Sequence, residues 1–184
     1  MRIVLATLAL SLALAGCATA TGGSSMLATN APRALPASGP VSVAWSNPAE
    51  FSELTASGNR QAAAQGDWLL QLAQYMRKQA ARQLPPGYRL ELTIEDIKRA
   101  GQYEPWRGIG AQDVRIIRDI YPPRMTVRFR EFDATGKVVA EGQRQLTDPA
   151  FLVNPGMIND TDPLRYEKRM IDTWLRREFP APAR

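Results

Sequence analysis

Histidine is missing from all 184 residues, and cysteine occurs once, at Cys17. Without histidine there is no Ser-His-Asp triad, no Cys-His pair and no histidine-ligated zinc. A single cysteine permits no intramolecular disulfide. Glycine-rich phosphate loops are missing too: Arg107-Gly108-Ile109-Gly110 lacks both the glycine spacing and the lysine that such loops require. Asn159-Asp160-Thr161-Asp162 lacks the glycine and distal glutamate of a calcium loop. No stretch mixes basic and aromatic residues as nucleic-acid-binding motifs do. Nor does any apolar run reach the roughly 20 residues of a membrane-spanning helix. The sequence therefore implies no cofactor, no metal and no nucleic-acid partner.

What is present begins at the N-terminus. Met1 and Arg2 precede an apolar run from Ile3 to Ala15, broken only by Thr7 and Ser11, and Gly16 leads into Cys17. One early positive charge, a short apolar run and a small-residue exit read as a secretory signal. Leu14-Ala15-Gly16-Cys17 also resembles the bacterial lipoprotein signal, in which diacylglycerol joins the cysteine sulfur before cleavage. The expectation is a signal peptide at residues 1–16 and lipid attachment at Cys17. The alternative is a plain secretory signal cut near Ala18-Thr19-Ala20. Two or three acyl chains, at about 0.8 kcal/mol per buried methylene, would hold the protein firmly on a membrane. Ala18 in place of aspartate points to the outer membrane, with the domain facing the periplasm. Residues 17–40 are rich in Ala, Gly, Ser, Thr and Pro and read as a flexible tether. Its reach is on the order of 25 Å.

Residues 41–180 have the length of one domain. Val41, Val43 and Trp45 alternate with smaller residues, as in a strand, up to Asn47-Pro48. Helical spacing follows from Gln61 to Leu84, with Leu69, Leu72, Ala73, Met76 and Ala80 on one face, and Pro85-Pro86-Gly87 ends it. Tyr88, Leu90, Leu92 and Ile94 alternate with polar residues in a second strand. Residues 101–123 read as a long loop, either ordered by its aromatics or functional. Two further alternating runs flank Asp133-Ala134-Thr135-Gly136 and predict a hairpin. Its expected register sets Phe129 opposite Ala140 and Arg128 opposite Glu141. Asp162-Pro163 predicts an N-cap and first turn, opening a helix to about Phe179 with Leu164, Ile171, Trp174 and Leu175 inward. The order is strand, helix, strand, hairpin, helix. It predicts an α+β domain: a mainly antiparallel sheet with two helices packed on one face.

ELTIEDIKRAG, RIIRDIYPPRM, DATGKVVAEG and LRYEKRMIDTWL, in that order and spacing, resemble the DUF3016 family across nearly the whole domain. The resemblance implies a secreted or envelope protein and supplies no catalytic residues.

Of the 23 basic residues only Lys78, Lys98, Lys137 and Lys168 are lysine, against 18 acids. Arginine grips carboxylates and phosphates with its planar fork. Arg124, Arg128 and Arg130 fall on one strand face close to Tyr121 and form a candidate interaction surface for a protein or an anionic envelope polymer. Glu167 lies on the apolar stripe of the last helix, where a carboxylate needs a partner. An ion pair with Arg115, Arg118 or Arg124 is expected. Asp113 with Asp119, and Asp160 with Asp162, are the acid pairs that a carboxylate-dependent hydrolase acting on an envelope polymer would use. Loop solvation and helix capping are the simpler readings of those pairs. The functional expectation is an envelope-anchored lipoprotein acting as a non-catalytic binding module, with the hydrolase as the alternative.

Overall fold

The computed structural model describes residues 31–153 and 160–180. It is an α+β domain built on a four-stranded sheet. The strands are β1 (Val41–Trp45), β2 (Arg89–Lys98), β5 (Arg124–Phe132) and β6 (Val138–Thr147), ordered β1-β2-β5-β6. β1 runs parallel to β2, and the other two pairings are antiparallel. A parallel pair needs a crossover. The segment between them supplies it through the short helices α1 (Ser52–Thr55) and α2 (Arg60–Ala63) and the longer α3 (Trp68–Gln83). With α4 (Arg165–Glu178), α3 covers the inner face of the sheet.

Alternation decides which face is covered. Val41, Val43, Trp45, Leu90, Leu92, Ile94, Met125, Val127 and Phe129 are buried inward against Leu69, Leu72, Met76, Ile171, Trp174 and Leu175. Phe129 meets Trp174 and Phe179 edge-on, with ring centroids 6.5 and 5.4 Å away. Tyr75 on α3 donates to Asp172 on α4 at 2.8 Å. Burial, then Asp172, push that phenol up to about 12, so the bond keeps its proton at every physiological pH. The outer sheet face is polar, as antiparallel sheets with one solvated side are.

Several features differ from the sequence-based expectations. The helix expected from Gln61 to Leu84 is two, because Gly66 takes φ +79° and breaks the turn before Trp68. The segment at residues 101–123 is partly regular. β3 (Gln102–Tyr103) pairs with β4 (Arg115–Ile116), forming a small arm with two short 3₁₀ turns between them. The hairpin register is offset by two residues, with Phe129 opposite Gly142 and Arg130 opposite Glu141. The Asp133 carboxylate accepts the N–H groups of Thr135 and Lys137 at 2.8 and 3.0 Å, and a bulge at Glu131 and Phe132 absorbs the difference. An even offset keeps every side chain on its expected face. Lastly, Arg33 to Leu35, read from the sequence as the end of the tether, lies along the free edge of β1. Leu35 N–H donates to Val43 at 2.9 Å and Trp45 N–H to Arg33 at 2.8 Å.

The start of α4 lies two residues later than Asp162-Pro163 implies, with Leu164 at the cap position and Asp162 closing the turn before it. Asp162 accepts the N–H of Leu164 at 2.8 Å, and its backbone carbonyl accepts that of Arg165 at 3.1 Å. The regular helix begins at Arg165. Among the described residues, no helix is long and apolar enough to cross a membrane.

Gly101 joins β2 to the arm at φ +82°, and a Cβ there would stand 2.6 Å from Ile117 Cδ1 and 2.7 Å from the Ile116 carbonyl. Gly101→Ala is expected to cost about 1–3 kcal/mol. Urea unfolding measures the loss, and hydrogen exchange should place the earliest opening in β3 and β4 rather than in the four-stranded sheet.

Candidate interaction site

The open sheet face carries the arginine row expected from the sequence, and neighbouring acids answer two of its three charges. Arg130 reaches Glu141 at 3.3 Å and Glu91 at 3.9 Å from the strands on either side. Arg128 is paired with Glu95, which also accepts from Gln143. Arg124 is exposed and forms no ion pair among the described residues. Cross-strand pairs of this kind stabilise modestly and leave little unspent charge for a ligand. Tyr121 is not part of the row. Its hydroxyl donates to Glu104 on the arm at 2.8 Å.

The arm rests on two buried carboxylates that sequence reasoning did not single out. Glu53, on α1, is fully buried. It accepts the backbone N–H of Arg99 at 2.8 Å and its guanidinium at 2.9 Å, and it pairs with Arg115 and, at 3.7 Å, with Lys98. Arg99 stacks over Trp68 and Arg115 over Tyr103, both at 4.7 Å. Burial pushes Lys98 and Arg99 below their ordinary values, and Glu53 pulls both back. Glu104, also buried, gathers Tyr121, Arg107 and Arg118. The Tyr121 hydroxyl above all, with Arg107 and Arg118, holds Glu104 below the usual carboxylate range against the effect of burial. No sequence periodicity exposes Glu53, because it sits on a helix of four residues. Trp106, Val114, Ile117 and Ile120 remain exposed on this arm.

Glu167 is 1% exposed, as its place on the apolar stripe requires. The expected arginine does not reach it. Its Oε1 accepts the N–H of Ala100 at 2.7 Å, and its Oε2 has no partner among the described residues. Arg115, one of the expected partners, spends itself on Glu53 next door. Arg118 goes to Glu104. Burial therefore pushes the Glu167 carboxyl above the ordinary range, and the charges of Arg99 and Arg115 offset this only in part.

The acids considered for hydrolysis are spread out and engaged. Asp113 accepts from Asn59 at 2.8 Å and Asp119 from the N–H of Ile120 at 2.9 Å. Asp160 accepts from the N–H of Asp162, which itself pairs with Lys168. Among the described residues no three acids gather as metal ligands would.

A groove of about 820 Å³ lies between β6 and α4. Leu146, Met170 and Trp174 give it an apolar wall, and Arg144, Arg169, Arg176 and Arg177 surround that wall. Arg144 is held by both oxygens of Glu178, at 2.7 and 2.9 Å, and lies 5.0 Å over the Phe129 ring. Arg169 is held by Asp148 at 2.5 Å. The one sequence signal for this groove is Arg144 itself, a charge at an inward position of the strand two residues from Leu146.

Glu53→Gln leaves three cations without their counter-charge in a buried site and is expected to cost about 3–5 kcal/mol. Glu167→Gln should behave oppositely. Gln keeps an acceptor for Ala100. The folded-state pKa of Glu167 is raised, so wild-type stability falls as pH rises from the ordinary carboxylate range through that raised pKa. The variant should therefore gain on wild type as pH rises above the ordinary carboxylate range in urea titrations. A loss of stability at neutral pH would show instead that an ion pair holds Glu167.

Comparison with known proteins finds no match among curated proteins and none among solved structures. A family profile described as a protein of unknown function, DUF3016, matches residues 39–177, a span that takes in every strand and helix of the domain except the last residue of α4. This chain belongs to the DUF3016 family.

Proposed function

We propose that this chain is an envelope lipoprotein, anchored through acylated Cys17 and facing the periplasm at the outer membrane, whose domain works as a non-catalytic interaction module for another envelope protein. The observation that carries the reading is the groove between β6 and α4. It is open, part apolar and rimmed by arginines, and among the described residues no converging pair of acids stands in its wall. Such a surface suits a polypeptide better than a reacting bond. The outer sheet face offers an anionic polymer less, because Glu91, Glu95 and Glu141 already answer Arg128 and Arg130.

Anchoring is tested by metabolic labelling with an alkyne fatty acid. Label on the wild type, lost in Cys17→Ser together with membrane retention, is the expected result. An equally labelled Cys17→Ser protein would sink the anchor. Function is tested in the living cell with a photo-crosslinking residue placed at Thr173 in the groove, at Trp106 on the arm or at Arg128 on the sheet face. A discrete protein adduct from Thr173 is expected. The absence of any protein adduct from all three positions would overturn the interaction reading.

A further inference from the structure

The two edges of the four-stranded sheet end differently. On β1, Ala34 bridges Ala44 and the flanking backbone bonds close the edge. On β6, no described residue pairs with the outer side. The orientation of that open edge follows from one bond, the Asp148 N–H donating to the Pro123 carbonyl at 3.4 Å. Backbone groups alternate sides along an antiparallel strand. Asp148, Leu146 and Arg144 thus turn theirs toward β5, and Thr147, Gln145 and Gln143 turn theirs outward. β6 spans ten residues without a proline, and its register shift lies at the hairpin end, away from these three.

Natural proteins usually blunt such an edge with proline, a bulge or an inward charge. Arg144 is the inward charge here, but Glu178 takes up its guanidinium with both oxygens. The edge also opens directly onto the groove, which contains Leu146, Trp174 and Met170. Two donors beside the groove are buried and without an acceptor among the described residues, Trp174 Nε1 and Arg169 Nη1. Buried donors left unpaired are rare and call for an explanation. Arg176 and Arg177 form no ion pair among the described residues. The four guanidinium groups of the groove face two carboxylates, Asp148 and Glu178, so positive charge and donors are in excess.

We infer that β6 and the adjoining groove bind an extended acidic segment of a partner protein by strand addition, the partner's backbone pairing with Gln143, Gln145 and Thr147. Alternate side chains of the added strand enter the groove against Leu146, Met170 and Trp174. Carboxylates along it meet Arg176 and Arg177 and bring acceptors to the idle donors. A second copy of this chain is a poorer occupant, because its β6 offers Gln143, Arg144 and Gln145 where acids are wanted. The inference rests on the interaction reading above and specifies the partner's chemistry.

The test uses the purified full chain and two fluorescein-labelled peptides of about eight residues, one with valine and glutamate taking turns at every second position and serine between them, so that both share the groove-facing side, and the other with lysine in place of glutamate. Fluorescence anisotropy should show binding of the glutamate peptide only. Gln145→Pro removes an outward-facing N–H and none of those bonded to β5, a substitution edge strands tolerate. It should weaken binding about tenfold, the effect of losing one or two backbone hydrogen bonds. Arg176→Glu with Arg177→Glu should do the same while leaving the edge intact. Thr147→Pro serves as the second edge variant if Gln145→Pro does not fold. Hydrogen exchange on the complex should protect Gln143, Gln145 and Thr147. Equal binding of both peptides, binding of neither, undiminished affinity in the folded proline variant, or protection elsewhere would overturn strand addition. So would a dimer abolished by Gln145→Pro, which would assign the edge to a second copy. The in-cell crosslink separates the two levels: a Thr173 adduct that persists in Gln145→Pro leaves the interaction module standing and removes only the strand-addition mechanism.

Discussion

A carboxylate removed from water must be met by charge and by hydrogen-bond donors, and at Glu53 that requirement ties the end of β2 to the arm. One buried acid draws in the end of β2 through Lys98 and Arg99, and the arm through Arg115. The two arginines in turn lie over Trp68, at the start of α3, and Tyr103, in the arm. The carboxylate is thereby surrounded by cations whose other faces are covered by aromatic rings. That arrangement works only as a set. Lys98 and Arg99 are disfavoured by burial and restored by Glu53, so the cluster depends on that one carboxylate. Glu167 stands beside the set with one backbone donor and no charge partner, the opposite solution to the same problem.

Once the arm is fixed, the four-stranded sheet is left with one covered face, one polar face and two unequal edges. The polar face is balanced, since each cross-strand neighbour of Arg130 carries the opposite charge. The edge at β1 is closed by the residues that lead into the domain. What remains unbalanced is concentrated at β6 and α4, where backbone groups, buried donors and arginines converge on one groove.

Much of the architecture was legible because it depends on local periodicity. Val41, Val43 and Trp45 had to share a face, as did Leu90, Leu92 and Ile94, and the apolar stripe of α4 could only point inward. Even the misplaced hairpin register did no harm to these assignments, since an offset of two preserves the face. The site was less legible. Arg124, Arg128 and Arg130 looked available because a sequence shows which charges share a face and not which charges stand opposite them across strands. Glu95, distant in sequence, answers Arg128. Of the three arginines expected to partner Glu167, Arg115 is engaged by Glu53 and Arg118 by Glu104, and Arg124 forms no ion pair among the described residues.

The sequence by itself determined the α+β order, the inward residues of each element, the absence of histidine-dependent chemistry and the turn at Asp133, because each depends on residues within a few positions of one another. Only the tertiary structure decided that β1 runs parallel to β2, that one edge is closed and the other open, and which acid meets which base. Those outcomes depend on residues dozens of positions apart competing for the same buried volume and the same few charges, and such a competition is resolved in space rather than along the chain.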